Sequence, residues 1–168
     1  FSPALPAPLQ EIADANGAIM SSLLPSGTAL ASTWNAPLVR ELAALHGQEM
    51  VRKGSDVLLS PGMNIHRDPL CGRNFEYFSE DPHLSGALGA SYAAAVEATG
   101  IGTAVKHFAA NNQETDRMRI SSDVDPRPLR EIYLRGFQRV VTDAQLAELD
   151  LSSLRVALSG AEPVDRFR

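Results

Sequence analysis

One short segment of the chain, residues 72–82, concentrates groups that can bind a polar ligand. It carries the guanidinium of Arg73, three carboxylates and three aromatic rings. Sugar hydroxyls need hydrogen-bond donors and acceptors at fixed positions, and the apolar face of a pyranose packs against rings. A loop held by a rigid scaffold can supply both. These residue types therefore favour a carbohydrate ligand over a role in the hydrophobic core.

A second polar segment begins at Lys106 and His107, near the end of a strand predicted over 103–108. Lys106 offers a charged donor, and the ring of His107 donates or accepts depending on its tautomer. Neighbouring residues of a strand point to opposite faces. Both side chains can therefore serve one ligand only if the strand ends there and its backbone bends, which the polar loop that follows permits.

The rest of the chain alternates predicted strands and helices that would position these segments. Short buried strands are predicted at 28–33, 57–59 and 103–108, and helices at 35–52, 83–98 and 125–141. Each helix starts with an Asn or Asp cap followed by a proline in the first turn, which is a typical start signal. Strands that alternate with helices are typical of parallel βαβ units.

The loops favour a barrel over a nucleotide-binding sheet. The long polar loops follow the predicted strands, as they do on the active face of parallel α/β folds. No glycine-rich phosphate-binding motif follows any strand. The expected fold class is therefore α/β, a partial barrel of parallel strands and helices equal to about half of a TIM-type barrel.

Composition limits the other classes of function. The 168 residues fit one domain, and a net charge of −5 without any basic run argues against nucleic acid. No apolar run is long enough to cross a membrane, so a soluble chain with no membrane partner is expected, while its compartment stays open. No cofactor or metal is expected, because His66 and Asp68, with His46 or His83, lack a compact ligand spacing. Cys71 is the single cysteine and has no activating neighbour at a helix start.

Four segments together carry a family resemblance: residues 28–35, 61–69, 72–82 and 106–117. In that order they resemble the amino-terminal domain of family 3 glycoside hydrolases, the β-glucosidase group, over about 28–141. The resemblance implies a (β/α)₈ barrel or a variant of one. It also implies that Arg73, Lys106 and His107 bind the hydroxyls of the sugar in the cleavage subsite.

The catalytic carboxylates are harder to assign than the binding residues. A retaining glycosidase needs two carboxylates about 5 Å apart. The family's nucleophile is an aspartate in a Ser-Asp-Trp type motif, whereas Trp34, the single tryptophan, stands between Thr33 and Asn35. The nucleophile segment and the second domain that commonly supplies the acid/base are thus not found. The candidates that remain on loops after strands are Glu76, Glu80, Asp81, Glu114 and Asp116.

Two functions follow from this pattern. The chain is expected to bind or hydrolyse β-linked glucosides as a truncated glycoside hydrolase-like domain. The alternative is a noncatalytic fragment that binds sugar weakly, or forms a homo-oligomer through open sheet edges. Glu76 either contacts substrate or holds Arg73 in place, and Phe75, Tyr77 and Phe78 either stack on the sugar or anchor the loop. Trp34 is expected to pack.

Three regions are expected along the chain. Residues 1–27 form an extended lead-in with a short helix around 9–16, and 28–141 form the partial barrel domain. Residues 142–168 form a separate helix-strand tail with a strand at 154–158. Within it, residues 142–164 resemble a segment of acyl-adenylate-forming ligases, but an adenylation activity is not expected because the phosphate loop of those enzymes is missing.

Overall fold

The computed structural model describes residues 21–145. Within that range the elements follow in chain order: α1 (Gly27–Ser32), α2 (Ala36–Arg52), β1 (Val57–Leu58), a 3₁₀ helix (Asn74–Glu76), α3 (Pro82–Glu97), β2 (Gly102–Thr103), α4 (Pro126–Pro128), a π-helix (Leu129–Tyr133) and α5 (Arg135–Gln145). The predicted helix at 9–16 and the predicted strand at 154–158 lie outside the described residues.

The two longest helices begin where their caps predict. The Asn35 side chain accepts a hydrogen bond from the backbone N–H of Leu38 at 3.1 Å, and α2 follows. The Asp81 carboxylate accepts from the N–H of His83 at 2.8 Å, and α3 follows. Each cap satisfies an N–H group that has no partner inside its helix, so the predicted starts are confirmed.

The strand predicted at 28–33 is wrong, because these residues form α1. Ser26 accepts a hydrogen bond from the N–H of Ala29 and so opens a helix, and the following Ala-Leu-Ala run favours that state over the strand preference of the threonines. Trp34 follows α1 with a positive φ of 53° and is 74% exposed. The expected packing role of Trp34 is therefore also wrong.

The sheet is parallel, as predicted, but its strands are shorter than the predicted 57–59 and 103–108, since β1 ends at Leu58 and β2 at Thr103. β1 pairs with β2 through Val57 opposite Gly102 and Leu58 opposite Thr103. Beyond β1, Gly62 forms parallel bridges to both Tyr77 and Lys106, so three segments meet there side by side. A Cβ on Gly62 would lie 2.9 Å from the Tyr77 ring, so no larger residue fits between them without displacing that ring.

The hydrophobic core lies around α3, which packs between α2 and α5. Val39 of α2, Leu88 and Val96 of α3, and Val140 of α5 are almost fully buried there, together with Met63. Burial of these side chains is the main stabilising contribution. This layer holds the loops that follow β1 and β2. Among residues 21–145, no helix is long and apolar enough to span a bilayer.

The helix predicted at 125–141 is interrupted and extends further than predicted. A π-helical turn separates α4 from α5, with the N–H of Leu134 bonded to the carbonyl of Leu129 at 2.8 Å. This turn carries Tyr133, which is buried against Ile65 and Ala110 in a second small cluster. α5 continues past residue 141, the expected domain boundary, to Gln145.

Candidate functional site

Three charged side chains meet above the parallel strands. The Glu76 carboxylate accepts from Arg73 Nε at 2.5 Å through one oxygen and pairs with Lys106 Nζ at 2.9 Å through the other. The 3₁₀ turn places Glu76 beside Arg73, and the bridge from Gly62 places Lys106 beside this turn. We call the group of Arg73, Glu76, Lys106 and His107 the polar cluster.

His107 joins the polar cluster from the second loop. Arg73 donates from Nη2 to the imidazole Nε2 at 2.7 Å. The Tyr77 ring packs edge-on against the imidazole, with centroids 6.1 Å apart, and the Tyr77 hydroxyl lies 3.2 Å from Nδ1. The adjacent residues Lys106 and His107 therefore both reach the same group of side chains. Two neighbouring residues of a regular strand could not do so, because their side chains would point to opposite faces.

Asn64 fixes the backbone beneath His107, and the sequence analysis had not assigned it a role. Its side-chain N–H₂ donates to the carbonyl of His107 at 2.9 Å, and its Oδ1 accepts from the His107 N–H at 2.8 Å. Asn64 is only 2% exposed, so these two bonds replace water at the amide. The loop after β1 is thereby clamped to the loop after β2.

Helix α1 supports the same region from the other side. The Thr28 hydroxyl lies 2.8 Å from the carbonyl of Asn74 and 3.0 Å from that of Tyr77, which stand two residues before and one residue after Glu76. His66 donates from Nε2 to the Asn74 carbonyl at 2.7 Å. These side chains satisfy carbonyls of an irregular turn that has few backbone partners of its own.

The surroundings set the charges of the polar cluster. Burial alone would raise the pKa of Glu76, but hydrogen bonds from Arg73 and Lys106 outweigh it and hold that pKa below its usual value. Burial, with the nearby charges of Arg73 and Lys106, lowers the pKa of His107 to about 4. Burial raises the pKa of the Tyr77 hydroxyl. At neutral pH Glu76 is therefore a carboxylate and His107 is uncharged.

Glu114 is the second candidate carboxylate near the polar cluster. One of its oxygens lies 3.9 Å from Arg73 Nη1, and the other pairs with Arg117 at 3.1 Å. Asn111 donates to Glu114 at 3.1 Å. Like Asn64, Asn111 and Arg117 have roles that sequence reasoning missed, because their partners are fixed only once the second loop has folded.

The other three candidate carboxylates are exposed, and neither the hydrogen bonds nor the ion pairs described for residues 21–145 join them to the polar cluster. Asp81 is the cap of α3, Glu80 is exposed beside it, and Asp116 is exposed on the second loop, where its carbonyl accepts from Arg119. Within residues 21–145, no group of three potential ligands could hold a metal ion.

The three aromatic rings of the first segment have separate surroundings. Tyr77 is fully buried against His107, and Phe78 packs edge-on to Tyr92 in the core with centroids 6.4 Å apart. Both therefore anchor the loop. Phe75 is 63% exposed and is the ring with surface available for stacking.

Comparison with known proteins gives a consistent result. A family model described as the glycosyl hydrolase family 3 N terminal domain matches residues 4–160. "Thermostable beta-glucosidase B" of Acetivibrio thermocellus is 49% identical over 135 residues, which is 80% of this chain and 18% of the relative. "Exo-alpha-(1->6)-L-arabinopyranosidase" of Bifidobacterium longum is 42% identical over 132 residues, 79% of this chain and 17% of the relative.

A solved structure agrees with the sequence matches. The structure of β-glucosidase 3B from Thermotoga neapolitana in complex with glucose is 53% identical with a TM-score of 0.72, covering 73% of this chain and 17% of that chain. The chain thus spans less than a fifth of these relatives. The described residues form part of a TIM-type barrel, so the predicted α/β fold class is confirmed.

Proposed function

Because this chain belongs to glycosyl hydrolase family 3, we propose that its polar cluster binds the terminal glucosyl unit of a β-linked glucoside and serves β-glucoside hydrolysis. One observation carries the proposal: Arg73, Lys106 and His107, which come from two separate loops, converge around Glu76. Fixed charged donors around one carboxylate suit a ligand rich in hydroxyl groups.

In this proposal Glu76 positions the donors instead of attacking the sugar. Both of its oxygens are engaged, one by Arg73 and the other by Lys106, and its pKa is lowered. A carboxylate held in this way is a weak nucleophile and a poor general acid, since an acid must carry a proton near the working pH. Its charge instead keeps two cations in a geometry that is ready for hydroxyls.

Glucose binding tests the sugar site directly. We expect calorimetric titration of the 168-residue chain to detect glucose, and Lys106→Ala to weaken the affinity at least about tenfold, which is the loss of one charge-assisted hydrogen bond. Lys53→Ala is the matched control, because Lys53 is exposed at the end of α2. Equal affinities for the two variants would contradict the proposal.

The substrate class is tested in the same way. One relative is named for glucosides and another for arabinopyranosides. We expect glucose to bind more tightly than L-arabinose, and the opposite order would assign the site to the second sugar.

Hydrolysis needs a separate measurement. We expect a family member that contains this segment to release the phenol of an aryl β-glucoside. In that enzyme, Glu114→Gln should lower kcat if Glu114 takes part in the chemistry. It should raise only KM if Glu114 orients Arg73. Unchanged kcat and KM would remove Glu114 from both roles.

A second candidate function is self-association through the sheet. Val57 and Leu59, at and just after β1, are 51% and 64% exposed and lie at the side of a strand pair two residues long. Exposed apolar strands are templates for pairing with another copy. We expect a sizing column to show a dimer that Val57→Lys converts to monomer, and a monomeric wild-type chain would dismiss this function.

A further inference from the structure

Each ring nitrogen of His107 faces one partner whose hydrogen-bonding character is fixed. At Nε2 the partner is Arg73 Nη2, 2.7 Å away. A guanidinium has five donors and no acceptor. The bond can therefore form only if Nε2 carries no proton and accepts.

At Nδ1 that partner is the amide oxygen of Asn64, 3.3 Å away. The Tyr77 hydroxyl lies 3.2 Å from the same nitrogen, but it can donate or accept and so does not determine where the proton is. The orientation of this amide is determined by the backbone, because its nitrogen donates to the His107 carbonyl and its oxygen accepts from the His107 N–H. Reversing the amide would set donor against donor and acceptor against acceptor. The oxygen therefore faces Nδ1, which must carry the proton.

From this geometry we propose that Asn64 is a positioning residue that holds His107 in the Nδ1–H form, so that Nε2 is an obligatory acceptor. The inference rests on the proposed function where it concerns sugar. A sugar hydroxyl that enters between the two side chains replaces their direct bond, because it accepts from Arg73 and donates its own proton to the lone pair of Nε2. The polar cluster thus selects a group that both accepts and donates, and discriminates against groups that only accept.

The charged and polar groups around the ring favour the uncharged state that this arrangement requires. The titratable or charged side chains that face it from the two loops and the 3₁₀ turn are Arg73, Lys106, Arg117, Glu76 and Tyr77. Three of these are cations and one is a carboxylate, which is itself paired to two of the cations. A second proton on the ring would face this excess of positive charge.

The tautomer can be measured without any sugar. Long-range ¹H–¹⁵N correlation spectra of the ¹⁵N-labelled 168-residue chain distinguish a protonated ring nitrogen from an unprotonated one. We expect His107 to show protonated Nδ1 and bare Nε2 from neutral pH down to pH 5. His46 is the internal control, since its Nδ1 lies 2.6 Å from the Tyr92 hydroxyl, which can either donate or accept. Observation of the Nε2–H form, or of an imidazolium at neutral pH, would overturn the proposal.

Two substitutions separate positioning from simple packing. Asn64→Ala removes the amide acceptor and leaves Arg73 beside Nε2 and the Tyr77 hydroxyl beside Nδ1. We therefore expect the preference for the Nδ1–H form to weaken, so that a fraction of the Nε2–H form appears. Asn64→Asp restores an acceptor, so we expect Nδ1 to stay protonated, with the His107 pKa raised by the added carboxylate. If both variants kept the wild-type tautomer and pKa, Asn64 would be only structural. If either variant fails to fold, the wild-type spectrum still decides the tautomer.

Fluorinated sugars test the selectivity. Fluorine in place of a hydroxyl accepts weakly and cannot donate. Across the monodeoxy and monodeoxyfluoro glucoses, we expect one position where both changes weaken binding by about tenfold, the value of one such hydrogen bond. If fluorine replaced hydroxyl without loss at every position, the acceptor role would be wrong. If glucose itself did not bind while the Nδ1–H form was observed, the proposed function would fail and the assignment of the tautomer would stand.

Discussion

Replacing Glu76 by Gln removes the central charge of the polar cluster while keeping the shape of the side chain. Arg73 and Lys106 then lose their shared counter-ion, and the amide directs either its N–H₂ or a neutral oxygen at each cation. The contacts at stake are the 2.5 Å and 2.9 Å pairs. We expect Glu76→Gln to lower the free energy of unfolding.

The size of the loss follows from the burial of the three side chains. Arg73, Glu76 and Lys106 are 25%, 20% and 20% exposed. Exposed ion pairs contribute about 0–1 kcal/mol, and removing one partner of a buried pair costs about 3–5 kcal/mol. Burial between these limits predicts a loss of about 2 kcal/mol, which lowers Tm by about 4–8 °C in a chain of this size.

Urea denaturation followed by far-ultraviolet circular dichroism measures this loss. Glu131→Gln is the matched control, because Glu131 pairs with Arg127 at the same 2.9 Å but the two side chains are 59% and 84% exposed. Glu131→Gln should lower the free energy of unfolding by no more than about 0.5 kcal/mol. Equal losses in the two variants would refute the reasoning, since burial would then have no effect on the strength of these pairs.

Three further predictions concern pH, a helix cap and close packing. The folded state holds the His107 pKa at about 4, below the usual 6.5, so the unfolded chain binds a proton first as pH drops and the free energy of unfolding should fall between pH 6.5 and 4. The urea midpoint of His107→Asn should fall less than that of the wild type over this range. An identical fall in both proteins would contradict the lowered pKa of His107. Asp81→Ala removes the cap of α3 and should cost about 1 kcal/mol by the same urea assay, while an unchanged midpoint would show that the cap is not needed. A Cβ on Gly27 would lie 2.3 Å from the carbonyl oxygen of Glu76, so Gly27→Ala should lower the free energy of unfolding by about 1–3 kcal/mol. A Cβ on Gly72 would have no atom within 4 Å, so Gly72→Ala should change it by no more than about 0.5 kcal/mol. Thermal unfolding of the two variants measures this difference, and equal losses would contradict it.

The helices could be predicted where a local signal determined the outcome. Asn35 and Asp81 cap α2 and α3 through their own side chains, so a few neighbouring residues contain the information. At 28–33 two local preferences competed, and the Ser26 cap prevailed over the β-branched threonines. The π-helical turn before α5 places Tyr133 against Ile65, which is far away in sequence, and no local pattern announces it.

The polar cluster was predictable in its members but not in its bonding. The family resemblance, supported by residue type, pointed to Arg73, Lys106 and His107, and the structure brings their side chains together. The sequence left open whether Glu76 contacts substrate or holds Arg73 in place. Its contacts with Arg73 and Lys106 favour the second role. Asn64 was missed because a buried amide has no distinctive spacing, and its partner is a backbone 43 residues away.

The exposure of Trp34 determines which optical probes can follow this protein. It is the single tryptophan, and 74% of its surface meets solvent in the native state. Its indole emission therefore begins close to that of the unfolded chain, so intrinsic fluorescence is a poor reporter of unfolding here. A blue shift of the Trp34 emission would instead show that another surface covers the end of α1. The emission of Trp34 can therefore report the binding of a partner at this position.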